Sequence, residues 1–180
     1  MKTTKPNFLQ TTLKENFTSW KFRTAMNWYP MYFGTGGKIL FIAGNFRELH
    51  LRIKLNLWTY NYVGTVFGGS MFSATDPFYM LMFLRSLGKS FVVWDKSASI
   101  KFVRPAKKTL YAKYLLSDEI LDSVKAEVAE RGECTRLMSI ELKDEDEKVY
   151  AVIERNVYIA DKSHYEKKKG MTQNAKLGKA

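Results

Sequence analysis

Residues 61–76 read N-Y-V-G-T-V-F-G-G-S-M-F-S-A-T-D, and they gather the groups of this 180-residue chain best suited to chemistry. Gly68 and Gly69 open an apolar segment. The first N–H groups of a helix have no intrahelical partner, and the helix dipole favours negative charge there. Two glycine amides at such a start can hold a carbonyl oxygen as it becomes an oxyanion, and glycine lets that carbonyl come close. Further along, Asp76 stands among Met71, Phe72, Phe78 and Met80, where a carboxylate is costly unless paired or functional. A base to activate water and a seat for negative charge are what hydrolysis at an acyl carbon requires. Each part also has a plainer use. Asp76-Pro77 is a standard N-cap and N1 pair for a helical segment over residues 77–87, and a Gly pair can serve tight packing alone.

Other chemistries find less support. His50 and His164 are far apart and Cys134 is the single cysteine, so a zinc site or a Cys-His nucleophile is not expected, and no metal is assigned. No phosphate-binding G-x-x-x-x-G-K or G-x-G-x-x-G pattern precedes a helix. Lys96, Lys101 and Arg104 are candidates for holding phosphates, or else a charged outer strand face. Asp95 and Lys96 read equally as an exposed edge pair or as neighbours of the site.

The elements that must position these groups follow from periodicity. Residues 38–43 form a short apolar strand, turned at Gly44-Asn45. From Glu48 to Asn56 the alternation is clean: Leu49, Leu51, Ile53 and Leu55 are expected to face in, and Glu48, His50, Arg52 and Lys54 out. A loop over 61–69 leads into a long apolar helix ending near Gly88. Residues 90–103, 109–116, 134–142 and 148–160 read as further strands, and 118–131 as a helix striped by Ile120, Leu121, Val124 and Val128 and stopped by Gly132. Before residue 38, the spacing of Leu13, Phe17 and Trp20 predicts one or two short helices. The pattern is α+β with an antiparallel sheet.

Composition bounds the rest. Hydrophobic content of 46% excludes global disorder. Lone Cys134, a start without a signal-like apolar stretch, and Gly68, Gly69, Asp76 and Pro77 inside the most apolar segment lead us to expect a cytoplasmic protein without membrane insertion. Net charge is +11, much of it in residues 162–180, expected to be a flexible basic tail. Such charge suits a polyphosphorylated ligand, nucleic acid or anionic lipid. No stacking or groove-reading motif accompanies the lysines, so nucleic acid is not expected.

The spacing N-x-x-G-x-x-x-G-G-x6-D, from Asn61 through Gly64, Gly68 and Gly69 to Asp76, resembles the motif of hotdog-fold acyl-CoA thioesterases of the phenylacetate-degradation type. Those enzymes usually carry His before the Gly pair, where this chain has Phe67. The F-G-G at 67–69, D-P-F-Y at 76–79 and W-D-K-x-x-x-I-x-F at 94–102 are similar to one branch of hotdog proteins. The resemblance implies a six-stranded antiparallel sheet wrapped around a long central helix over 38–161, with an N-terminal helical extension (1–37) and the tail (162–180) outside it. It implies a homodimer or dimer of dimers that hydrolyses an acyl-CoA or related acyl thioester, coenzyme A entering only as part of the substrate. Asp76 would be base or nucleophile, reaching the helix start of the neighbouring subunit. Gly68 and Gly69 would supply the oxyanion hole, and Asn61 would position water or thioester. Phe67 and Phe72 would shape an acyl pocket, with Lys96 and Arg104 on the phosphates. Phe67 leaves the backbone amides in place, so its effect would fall on pocket shape or rate. The alternative is a non-catalytic acyl- or lipid-binding hotdog protein.

Overall fold

Alternating inward residues build the sheet; in the last strand these are Ala151, Ile153, Arg155, Val157 and Ile159, all buried. In the computed structural model, which describes residues 6–177, six antiparallel strands are β1 (Gly37–Ile42), β2 (Glu48–Ile53), β3 (Phe91–Phe102), β4 (Leu110–Leu115), β5 (Glu133–Lys143) and β6 (Val149–Asp161). Their order across the sheet is β1-β2-β4-β5-β6-β3. The helices are α1 (Phe17–Trp28), α2 (Pro30–Phe33), α3 (Gly68–Ala74), α4 (Phe78–Leu87), α5 (Asp118–Arg131) and α6 (Lys162–Leu177). The sheet wraps around α3 and α4, whose Met71, Ala74, Phe78, Met82 and Phe83 join Leu51, Ile53, Tyr114 and Ile153 in one core. This is the expected six-stranded hotdog arrangement.

The central helix is interrupted where the sequence suggested a continuous one. Pro77 disfavours helical backbone at Asp76, and α3 stops at Ala74 before α4 starts at Phe78. The carbonyls from Met71 to Thr75, at the break, each accept a hydrogen bond, as buried polar groups must. Thr75 Oγ1 donates to Met71 O at 3.0 Å and Phe72 O at 2.8 Å. The Tyr32 hydroxyl donates to Ala74 O at 3.3 Å and the Tyr114 hydroxyl to Thr75 O at 3.1 Å. Burial holds both phenols well above the ordinary tyrosine range, so they remain donors.

Two further expectations are corrected. On β2, Glu48 and His50 do not face water: His50 is 0% exposed. His50 Nε2 lies 2.6 Å from Glu48 Oε1, Lys113 Nζ lies 3.2 Å from the same oxygen, and Lys113 also donates to Gln10 O. A polar strand face is buried because the N-terminal segment lies over it. Second, the short N-terminal helices are present as expected, but Leu13 precedes α1 and Phe17 and Trp20 are on its exposed side, while Phe22 and Met26 pack on the core. Asn16 sets that register as an N-cap with Ser19 as the reciprocal partner. Of the expected basic tail, residues 162–177 form α6, started by the Asp161 carboxylate accepting from Ser163 N and His164 N, with Lys168 paired to Glu133, and residues 178–180 lie outside the described residues.

The two edges of the sheet are treated differently. Along β1, Asn27 bonds both the N–H and the carbonyl of Ile39, and Glu15 accepts from Ile42 N at 3.0 Å, so side chains close that edge. No described strand pairs with the outer edge of the 12-residue β3. A long strand edge left open is a template for another strand.

Candidate active site

At the start of α3 the loop carrying Asn61 folds back on itself. Asn61 Oδ1 accepts from Val63 N, Thr65 N and Thr65 Oγ1, and Phe67 N donates to Thr59 O at 2.6 Å. Phe67 is the N-cap, with no side-chain cap, so the amides of Gly68 and Gly69 donate to no described group. A side chain at either glycine would require a neighbouring ring to move. A Cβ on Gly68 would stand 2.7 Å from the Phe102 ring, and one on Gly69 2.3 Å from the Phe67 ring. Beside this helix start lies a cavity of about 540 Å³ lined by Asn61, Val66, Phe67, Gly68, Phe102 and Arg104, among others. That is the size range of small-molecule sites.

Asp76 lies at the far end of α3, about 10 Å along the axis at 1.5 Å per residue. Its partner is Arg155, which the sequence reading missed. Arg155 is 2% exposed on the inner face of β6 and donates from Nη1 to Asp76 Oδ1 at 2.6 Å and to Asp95 Oδ2 at 3.2 Å. From Nη2 it donates to Phe72 O at 3.2 Å, and its guanidinium stands 5.1 Å from the Phe72 ring centroid. The cation therefore also sits at the carboxyl end of the α3 dipole, where positive charge is favoured. Asp76 is 60% exposed at its side chain, so one oxygen is anchored while the carboxylate still meets solvent. Asp95 is turned inward, and its Oδ1 is buried with no hydrogen-bond partner among the described residues. Burial raises the Asp95 carboxyl above the ordinary 3.8, Arg155 pulls it down, and the charge of Asp76 pushes it up again; the upward causes win.

Within one chain, then, the structure gathers Asn61, Phe67, Gly68 and Arg104 around the cavity, with Gly69 one residue behind. Asp76 and Phe72 belong to a second cluster with Arg155 and Asp95. Lys96 belongs to neither: a bulge between Asp95 and Ser97 sends it outward, 4.2 Å from the Tyr158 ring centroid. The period-two register of β6 carried a signal for Arg155, since it falls in phase with Ile153 and Val157. A cation at an inward position calls for buried anions.

Sheet, interrupted central helix and the loop–helix start define a hotdog-fold protein. Its fold is similar to a Pseudomonas aeruginosa protein described as a probable thioesterase, at TM-score 0.70 and 18% identity over 82% of this chain and 98% of that one. A Chlorobaculum tepidum protein of unknown function is similar at TM-score 0.63 and 15% identity, covering 80% and 94%. A Haemophilus influenzae thioesterase is similar at TM-score 0.60 and 14% identity, covering 84% and 96%. No curated protein matches the sequence. The chain belongs to the family described as domain of unknown function DUF4442, whose model matches residues 18–159.

Proposed function

We propose that this protein hydrolyses an acyl-CoA or related acyl thioester at a site shared between two copies of the chain. The observation that carries the reading is the separation of an oxyanion-binding half, at Gly68 and Gly69, from a carboxylate half, at Asp76, on a molecule whose β3 edge is open. β3 runs from one half to the other: Asp95 contacts Arg155 and Phe102 covers Gly68, seven residues or about 23 Å apart. Antiparallel pairing of two β3 edges about Ala98 and Ser99 sets Asp95 of one copy opposite the partner's Phe102. Each carboxylate half then meets the other copy's helix start. The same register sets Lys96 opposite the partner's Lys101, with Arg104 nearby, a basic rim suited to the phosphates of coenzyme A.

In this site the thioester carbonyl oxygen accepts from the Gly68 and Gly69 amides, and Asn61 Nδ2 is the group left to orient the substrate, its Oδ1 being engaged. Asp76, held through Oδ1 by Arg155, takes a proton from water as the water oxygen bonds to the acyl carbon. The oxyanion collapses, the C–S bond breaks, and the proton passes to the departing thiolate. The fold likeness to a thioesterase supports this reading. Purified protein is expected to release free thiol from at least one acyl-CoA, and no turnover across short, medium, long and aryl acyl groups would overturn it.

One observation favours a second reading. The rings of Phe67 and Phe102 close over the glycines, a shape suited to holding an apolar chain without hydrolysis. Tight acyl-ligand binding that Asp76→Asn leaves unchanged, with no thiol release, would select it.

A further inference from the structure

Away from β3, at the β1 side of the molecule, lies a surface that neither catalysis nor β3 pairing uses. Trp28 and Phe33, at the end of α1 and on α2, are exposed and share a depression with Trp58 of the loop after β2; Met31 on α2 and Leu57 and Tyr62 in that loop are exposed as well. In that loop Leu57 is 90%, Trp58 83% and Tyr62 102% exposed. Side chains of this kind are seldom left in water together without a partner. The Trp28 and Phe33 rings stack, 6.4 Å between centroids and 4° between planes, and with Trp58 and Lys38 they line a depression of about 430 Å³.

The display is built into the fold. Asn56 Oδ1 accepts from Trp58 N at 2.9 Å, and the fully buried Thr59 bonds back to the carbonyl of Lys54. Leu57 and Trp58 are thereby pushed outward between two anchored residues. Among the described residues, the free cations flanking the display are Lys38, which lines the depression, and Lys54, just before the loop. Residues 1–75 hold nine Lys and Arg against two acidic residues, Glu15 and Glu48. Glu15 is paired with Arg23, and Glu48 is buried against His50 and Lys113. Lys38 and Lys54 are exposed and form no ion pair among the described residues.

Tryptophan and tyrosine prefer the boundary between headgroups and acyl chains, and lysines beside them prefer anionic phosphates. The proposed function already places a second copy at the β3 edge, the opposite edge of the sheet from this surface. No helix among the described residues is long and apolar enough to cross a membrane, and the contact argued here is a peripheral one. We infer that this surface docks the protein on an anionic lipid bilayer. Trp28, Phe33, Leu57 and Trp58 enter the interface, and Lys38 and Lys54 meet lipid phosphates. The far flank of the same loop, at Asn61 and Val63, lines the cavity beside Gly68. Docking thus sets the cavity mouth near the lipid, and it does not depend on the chemistry proposed for the cavity.

The test is flotation of the full chain with vesicles of phosphatidylcholine alone, or with an equal part of phosphatidylglycerol. The protein is expected to float with the anionic vesicles, with a blue shift of tryptophan emission. Trp28→Ala/Trp58→Ala, with an unchanged far-UV spectrum, is expected to weaken binding by at least about tenfold. Lys38→Gln/Lys54→Gln is expected to weaken it most at low salt. Three outcomes overturn the inference: no binding to anionic vesicles, binding unaffected by the tryptophan pair, or loss of the dimer in the tryptophan variant without vesicle binding. The last would assign the surface to a second copy.

Discussion

Asp76 leaves α3 with one oxygen on Arg155 and the carboxylate still open to solvent, so its replacement separates chemistry from structure. Asp76→Asn keeps an oxygen for Arg155 but cannot take a proton. Thiol release is expected to fall at least about a hundredfold, while the melting temperature moves little. Arg155→Ala should behave differently, because it leaves the Asp95 carboxylate and the Phe72 carbonyl without their cation. A loss of about 3–5 kcal/mol is expected in urea unfolding, with activity lost alongside. Asp95 sets a pH dependence. Its folded form holds the proton to higher pH than the ordinary 3.8, so the folded state binds more protons above that value. The contribution of Asp95 to stability is therefore fully present below 3.8 and falls as pH rises through the raised folded value. Relative to Asp95→Asn, the wild type should lose stability as the medium is taken upward through the acid range, read by melts of both proteins. Asp76 and the Gly pair were legible in sequence because they share one local segment. Arg155 lies 79 residues from Asp76, and only the pairing of β6 beside β3 brings it there.

At the scale of elements, strand and helix boundaries followed hydrophobic period closely, and α5 agrees with its sequence span because Ser117, Gly132 and the apolar stripe all mark it locally. What the period could not show was cover from distant segments. β2 alternates as a half-exposed strand should, yet His50 is buried because residues near Gln10 and Lys113 lie over it. The break at Asp76-Pro77 was visible as a cap signal, but its stability depends on Tyr32, Tyr114 and Arg155, drawn from three separate elements. The open β3 edge gives the element-scale prediction. Ala98→Asp/Ser99→Asp would set four carboxylates side by side in the proposed pairing, and like charges facing each other across strands are destabilising. Light scattering is expected to report a monomer for this variant and a dimer or larger for the wild type. A variant that stays paired would remove β3 from the interface.

For the whole molecule, the asymmetry of the sheet is the organising fact. Side chains of the N-terminal segment seal β1, nothing described seals β3, and the two halves of the candidate site lie at opposite ends of α3. In the proposed function, a carboxylate at one end of a helix and an oxyanion seat at the other act together only when two chains related by a two-fold axis supply each other's missing half. Co-expressed pairs of inactive variants test this directly. Asp76→Asn removes the carboxylate from one copy, and Gly68→Val blocks the helix start of the other, where even a Cβ meets the Phe102 ring at 2.7 Å. Random assortment then leaves about a quarter of the wild-type number of intact sites, all in mixed dimers. The account predicts that neither variant alone releases thiol and that the co-expressed pair recovers about that fraction of wild-type activity. Inactivity of the mixed dimers, with wild-type protein active beside them, would contradict a shared site.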